Sequence, residues 1–254
     1  MILIEIPALG CEAGLYQPFN AHLPKDVDAR VVVTTQDRME KCVADILARA
    51  PQEFAIFGTS FGARVAMEVT LAAPQRVKGL IISGSGPGPV ADQAGGLKRS
   101  ARVRGGDFEG VLKEMADIIS HLPGPRGPST MEAFRAMSRA MGPENFARQS
   151  DALAHRIDLW PRMSEIKCPV LCLWGDHDQF ASPDVGRKIA SSIPHGQFAA
   201  IKDCGHFPTL EYPEETARFI AEWVLLQACD IFRDGTHIRV RQLCEITLHI
   251  AHAA

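Results

Sequence analysis

Short, mostly apolar runs alternate with segments of helical period along the first ninety residues. Residues 2–6 (ILIEI) stop at Pro7, as a buried strand does, and residues 30–35 (RVVVTT) form a second, β-branched run. From Arg38 to Ala50 the apolar residues Met39, Val43, Ile46 and Leu47 follow helical spacing, and Pro51 ends the segment. FAIFG at 54–58 reads as a strand that runs straight into a helix carrying Val65, Ala66 and Val69 on one face. GLII at 79–82 is a further strand, closed by the turn-rich SGSGPGPV. Strands that are apolar on both faces, each followed by a helix, belong to a parallel sheet covered on both sides. The expected class is α/β, and 254 residues suit one such domain with an insertion.

The alternation breaks between residues 87 and 167. Helices are predicted at 108–121, 130–141 and 144–155, with no clear strand among them. Five of the eight methionines lie here, and Met131, Phe134, Met137 and Met141 recur at three- and four-residue steps to give one apolar face. That face either packs onto the body or forms an adaptable cover over an apolar pocket, and the two uses are compatible. The sheet pattern resumes at 168–174 (CPVLCLW), followed by a helix near 184–193, a strand at 197–201 and a helix at 213–227. The division is therefore a core of 1–86 and 168–227, a helical lid at 87–167, and a C-terminal extension at 228–254 that fits no element.

A net charge of −3 offers no footprint for nucleic acid. The seven cysteines contain no CxxC pair, and reduced, buried thiols of a cytoplasmic protein are expected. The N-terminal MILIEIPALG has no basic segment and carries Glu5 and Pro7, which argues against a signal peptide. No apolar run is long enough to span a membrane. P-loop, GxGxxG and HExxH sequences are missing, so neither a nucleotide cofactor nor a zincin metal site is expected. Cys204 and His206 lack a second cluster to complete a metal's coordination. A small-molecule substrate is the expected partner, with neither nucleic acid nor membrane.

Gly58-Thr59-Ser60-Phe61-Gly62 is a G-x-S-x-G sequence set between a strand and a helix. That is the setting of a nucleophile elbow, whose sharp turn needs small residues on either side and exposes the hydroxyl at a helix N-terminus. Taken alone, the motif is equally a serine capping a helix. A serine hydroxyl becomes a nucleophile when a base accepts its proton and a third group orients that base. Gly175-Asp176-His177-Asp178 and Asp203-Cys204-Gly205-His206 each follow a predicted strand, at the same sheet edge as Ser60. Their order is Ser, Asp, His.

On these stretches the chain resembles the α/β-hydrolase superfamily, particularly its small, lid-bearing bacterial serine hydrolases, over residues 1–226. The resemblance implies Ser60 as nucleophile and selects Asp178 over Asp176 as the acid. It also selects His206, within CGHFPTLEYPEE, as the base. Oxyanion donors are then the backbone N–H of Phe61 and, from Pro7-Ala8-Leu9-Gly10, that of Leu9. Here the chain departs from the family, which usually carries His-Gly at the second place. No antiparallel strand pair precedes the first strand, and a sheet short on that side is expected.

What the resemblance implies is a hydrolase of a small, mainly apolar ester or acyl compound. A C–C hydrolase of a diketone ring-cleavage product and a catalytically weak binding protein are the alternatives. Serine at position 60, rather than aspartate, argues against dehalogenase or epoxide-hydrolase chemistry. Met137, Met141 and Arg156 are the candidate pocket residues. The insertion carries 12 basic against 10 acidic residues between 87 and 168, a faint pointer to an acidic substrate.

Overall fold

In the computed structural model, which describes residues 1–90 and 93–231, the apolar runs become the strands of one sheet. The first half holds β1 (Ile2–Ile6), a 3-10 turn at Ala13–Leu15, α1 (Gln17–Asn20), β2 (Asp28–Val31) and α2 (Met39–Arg49). These are followed by β3 (Phe54–Thr59), α3 (Phe61–Ala72) and β4 (Val77–Ser83). Four helices come next: α4 (Gln93–Arg104), α5 (Phe108–Ile119), α6 (Gly127–Met141) and α7 (Pro143–Ala154). After a 3-10 segment at Trp160–Glu165 the sheet continues with β5 (Val170–Gly175), α8 (Pro183–Ser192) and β6 (Gly196–Ile201). α9 (Pro208–Glu211) and α10 (Pro213–Ile231) follow. Every strand pair is parallel, in the order β2-β1-β3-β4-β5-β6. β3 and β5 are buried at every position, which is why their sequences are apolar without alternation.

The order reverses beside β1, so the carboxyl ends of β1 and β3 flank the crevice where open α/β sheets bind ligands. β2 is shorter than the apolar run suggests, covering 28–31 rather than 30–35. Val32 N–H still reaches the Glu5 carbonyl at 2.8 Å, but β1 ends at Ile6 and the following Pro7 has no N–H to continue the ladder.

The insertion between β4 and β5 contains one helix more than its periodicity predicts. α4 carries Gly95-Gly96 and four basic residues, a poor helical sequence, and buries only Ser100 and Val103. Its fold is supplied by α7, against which it packs, with Arg99 Nε donating to Ser150 Oγ at 2.8 Å. The apolar face of α6 lies on the body, where Phe134 and Met137 are buried and the Phe134 ring meets Phe207. Both ends of the insertion are held by one fully buried guanidinium. Arg64 of α3 donates to the carbonyls of Pro87, Gly88 and Ile157 and pairs with Glu68 at 2.8 Å. Of the expected C-terminal extension, residues 232–254 lie outside the described residues. Among the described residues no helix is long and apolar enough to cross a membrane.

Glu5 is an acid inside this core. Asn20 Nδ2 donates to its Oε2 at 2.8 Å, while Glu5 Oε1 and Asn20 Oδ1 have no partner among the described residues. Burial pushes the Glu5 carboxyl up to about 7, only partly opposed by the Asn20 bond. The folded chain therefore keeps a proton that the unfolded chain releases near 4.5, and stability is lost as pH rises from there through 7. Glu5→Gln removes the charge and adds a donor. Its melting temperature is expected to exceed wild type by about 5 °C at pH 8, from a penalty on the order of 2–3 kcal/mol, with a much smaller gain at pH 5. Thermal unfolding at the two pH values checks this.

Candidate active site

The turn from β3 into α3 is tight enough to exclude side chains at two positions. A Cβ on Gly58 would strike the Gly62 carbonyl oxygen, and one on Gly62 would strike that of Ile6. With both absent, α3 starts directly against the end of β1. Ser60 occupies the corner at φ 55, ψ −113, a conformation rare for a residue with a side chain. Its N–H is fixed to the Ser83 carbonyl at 2.8 Å, and its own carbonyl accepts from Arg64 N–H at 3.1 Å. The side chain is thus presented at the N-terminus of a twelve-residue helix, where the dipole favours developing negative charge.

The other two loops converge on the same edge. Beyond β5, Asp178 Oδ1 accepts the N–H groups of Phe180 at 2.8 Å and Ala181 at 3.0 Å. Its Oδ2 lies 2.8 Å from His206 Nδ1, in the loop beyond β6. Both side chains are almost wholly buried. A bond from a carboxylate to Nδ1 leaves Nε2 as the ring nitrogen available to move a proton. Asp176, the acid not selected, instead accepts Cys204 N–H at 3.2 Å and so joins the two loops. His206 N–H donates to the Ile119 carbonyl at 2.9 Å, tying the histidine loop to the end of α5.

Ser60 and His206 line one cavity of about 190 Å³, together with Leu9 and Phe61. Among the described residues the backbone N–H groups of Leu9 and Phe61 have no acceptor within the chain. Gly10, beside Leu9, is held by Gln149 Oε1 at 2.9 Å and Ser138 Oγ at 3.1 Å, so α6 and α7 fix the loop that carries the Leu9 donor. Ser60 and His206 are not hydrogen-bonded to each other.

Arg156 lines the cavity, whereas Met137 and Met141 do not. Met137 turns toward Gly14, where its Sδ would lie 3.1 Å from an added Cβ. The methionine on the wall is Met115, from α5, accompanied by Ile119, Leu153, Phe180 and Phe207. Of the two uses that periodicity left open for this face of α6, packing onto the body is the one found for Phe134 and Met137.

Three further residues had no distinguishing signal. Glu211 sits within the histidine-loop stretch yet looks like an ordinary helix-start acid. Fully buried, it accepts the N–H groups of His121, Gly205 and Phe207, and burial pushes its carboxyl up against the pull of those bonds. Gly84 (φ 67) lies beneath the imidazole, where an added Cβ would come within 2.6 Å of His206 Cε1 and 3.2 Å of Asp178 Oδ2. Arg99 lies in the helix that periodicity missed, and it lines the cavity beside Arg156.

Cys204 is a poor metal ligand, since burial and nearby acids push its thiol far up and its Sγ faces the Gly205 carbonyl. Outside the cavity, His121, His177 and Asp203 bring ligand atoms within 4.8 Å of one another. The two imidazoles stack at 4.0 Å on a solvent-facing surface.

A sequence profile described as the alpha/beta hydrolase family matches residues 8–219. The chain belongs to the alpha/beta hydrolase family. As an alpha/beta hydrolase it is 26% identical over 223 residues to the 2-hydroxy-6-oxononadienedioate/2-hydroxy-6-oxononatrienedioate hydrolase of Escherichia coli. That alignment spans 84% of this chain and 72% of the relative. Its fold is similar to a thermophilic esterase from Thermogutta terrifontis solved with malate bound, at TM-score 0.81 and 22% identity over 88% of this chain and 89% of the other. The enol-lactonase from Burkholderia xenovorans gives TM-score 0.78 and 18% identity over 88% and 90%.

Gly84→Ala tests the seat of the imidazole. Reaction of this alpha/beta hydrolase with a fluorophosphonate probe is expected to slow by about 10²-fold, the scale of an ångström-sized misplacement. Far-ultraviolet circular dichroism is expected to stay that of wild type. An unchanged labelling rate would show that the His206–Asp178 geometry tolerates the added methyl.

Proposed function

We propose that the protein hydrolyses a small, mainly apolar ester or related acyl compound through Ser60, His206 and Asp178. In this reading Ser60 Oγ attacks the carbonyl carbon while His206 Nε2 accepts its proton. The oxyanion so formed is held by the Leu9 and Phe61 N–H groups. Collapse breaks the bond to the leaving oxygen, which takes the proton from His206 and departs as the alcohol. Water then attacks the acyl-enzyme, His206 accepts its proton, and the acid leaves as Ser60 recovers its hydrogen. Asp178 holds the imidazole tautomer throughout.

The observation that carries the reading is the convergence on one cavity of a serine at a strained helix entry, an imidazole bonded to a buried carboxylate, and the residues of two backbone N–H groups that have no acceptor among the described residues. The solved esterase and enol-lactonase share the fold. Carboxylester hydrolysis (EC 3.1.1) is favoured over C–C hydrolysis (EC 3.7.1). The second reading, C–C hydrolysis of a diketone, is supported by the Escherichia coli relative, whose name denotes a hydrolase of an oxo-dienedioate. The same three residues would serve it.

Labelling by a fluorophosphonate probe is expected in wild type and expected to vanish in Ser60→Ala and His206→Ala. Asp178→Asn is expected to lower kcat by about 10⁴ while the protein stays folded. A panel of esters and vinylogous diketones separates the two readings: turnover of diketones alone would sink the ester assignment. A well-folded wild type that the probe does not label would overturn the serine mechanism in favour of a binding role.

A further inference from the structure

Two side chains of the cavity are not used by the acyl chemistry. Arg99, on α4, and Arg156, just past α7, both line it and are half-buried. Each is tethered through Nε alone, Arg99 to Ser150 Oγ at 2.8 Å and Arg156 to the Gly88 carbonyl at 3.2 Å. The Nη groups of both guanidiniums have no partner among the described residues, and no carboxylate there lies within ion-pair distance of either. Acids are available in the same insertion, where Arg102 pairs with Asp107 and Glu114, and Arg139 with Glu109. None lines the cavity.

Burial works against both charges, and each also feels a neighbouring guanidinium: Arg99 that of Arg156, and Arg156 that of Arg64. Withdrawing cations from water beside like charge is unfavourable unless a counter-charge arrives. The arginine fork is shaped to receive a carboxylate through parallel N–H···O bonds. The same cavity wall also carries the apolar side chains of Met115, Ile119 and Leu153. A volume of about 190 Å³ is below that of sites for drug-sized ligands.

We propose that the cavity takes a substrate bearing a carboxylate, held by Arg99 and Arg156 while its scissile carbonyl lies at Ser60. The chemical class is the half-ester, or equivalent acyl derivative, of a short dicarboxylic acid with an apolar chain between its two ends. This deepens the serine-hydrolase reading and rests on it for the position of the reacting carbonyl.

Two measurements test the proposal separately from that reading. In the first, kcat/KM is compared for monoethyl succinate, glutarate and adipate against neutral ethyl esters of matching length. Wild type is expected to favour a half-ester, and the ratio is expected to fall by about 10–100-fold in Arg99→Gln and in Arg156→Gln. Arg156→Lys, which keeps the charge but loses the fork, is expected to fall between. Arg139→Gln, on the outer surface, is expected to leave the ratio as it is. A wild-type preference for the neutral esters, or a ratio indifferent to both cavity arginines, overturns the proposal.

The second measurement needs no turnover. Calorimetric titration of glutarate and adipate into Ser60→Ala is expected to show binding that either arginine substitution weakens by about tenfold or more. Binding that ignores the arginines, or none at all, overturns the carboxylate site. Binding that depends on them in a protein whose wild type turns over no ester retains the site and rejects the esterase reading.

Discussion

The site depends on how closely the first turn of α3 lies against the end of β1. Because Gly62 has no side chain, the helix begins on the carbonyls of Ile6 and Pro7. At this contact Leu9 and Phe61 line one cavity, and Ser60 at the same corner has a positive φ. Such a backbone state costs roughly 1–3 kcal/mol. It persists because the Ser60 amide is bonded to β4 and its carbonyl opens the helix. A larger residue at position 62 would strike the carbonyls of Ile6 and Pro7 and push α3 away from the end of β1.

The helical insertion is tied into the same arrangement and does more than cover it. Arg64 clamps both of its ends to α3, while Ser138 and Gln149 reach back to Gly10 beside the Leu9 donor. Ile119, at the end of α5, receives the His206 amide, and Glu211 joins the His121 amide to those of Gly205 and Phe207. Loosening α5, α6 or α7 would therefore disturb the Leu9–Gly10 loop or the histidine loop. Charge is also segregated. The buried carboxylate Asp178 is bonded to the imidazole, and the guanidiniums of Arg99 and Arg156 come to the cavity from the insertion.

Much of this was legible from the chain. The apolar runs at 2–6, 54–58 and 168–174 are strands because both sheet faces are covered, and Ser60, Asp178 and His206 come together because parallel strands bring their carboxyl ends to one edge. α4 was not legible, since glycines and cations give it little intrinsic preference and α7 supplies its packing. Met137 and Met141 were on the expected apolar face, but that face meets the body near Gly14, and Met115 of α5 occupies the cavity wall instead. Gly84 carried no signal because it meets His206 and Asp178 from far along the chain, and Glu211 because its bond to the His121 amide spans 90 positions.

By itself the sequence determined the parallel α/β sheet, the sharp serine turn and the order of the three chemical groups. Those follow from periodicity, glycine spacing and the direction of strands, which are properties of neighbouring residues. The tertiary structure alone decided that Arg99 would stand beside Arg156, that Met115 rather than Met137 would line the cavity, and that helices of the insertion would hold the Leu9 loop. Which helix faces meet depends on packing between distant segments, and no local pattern encodes that.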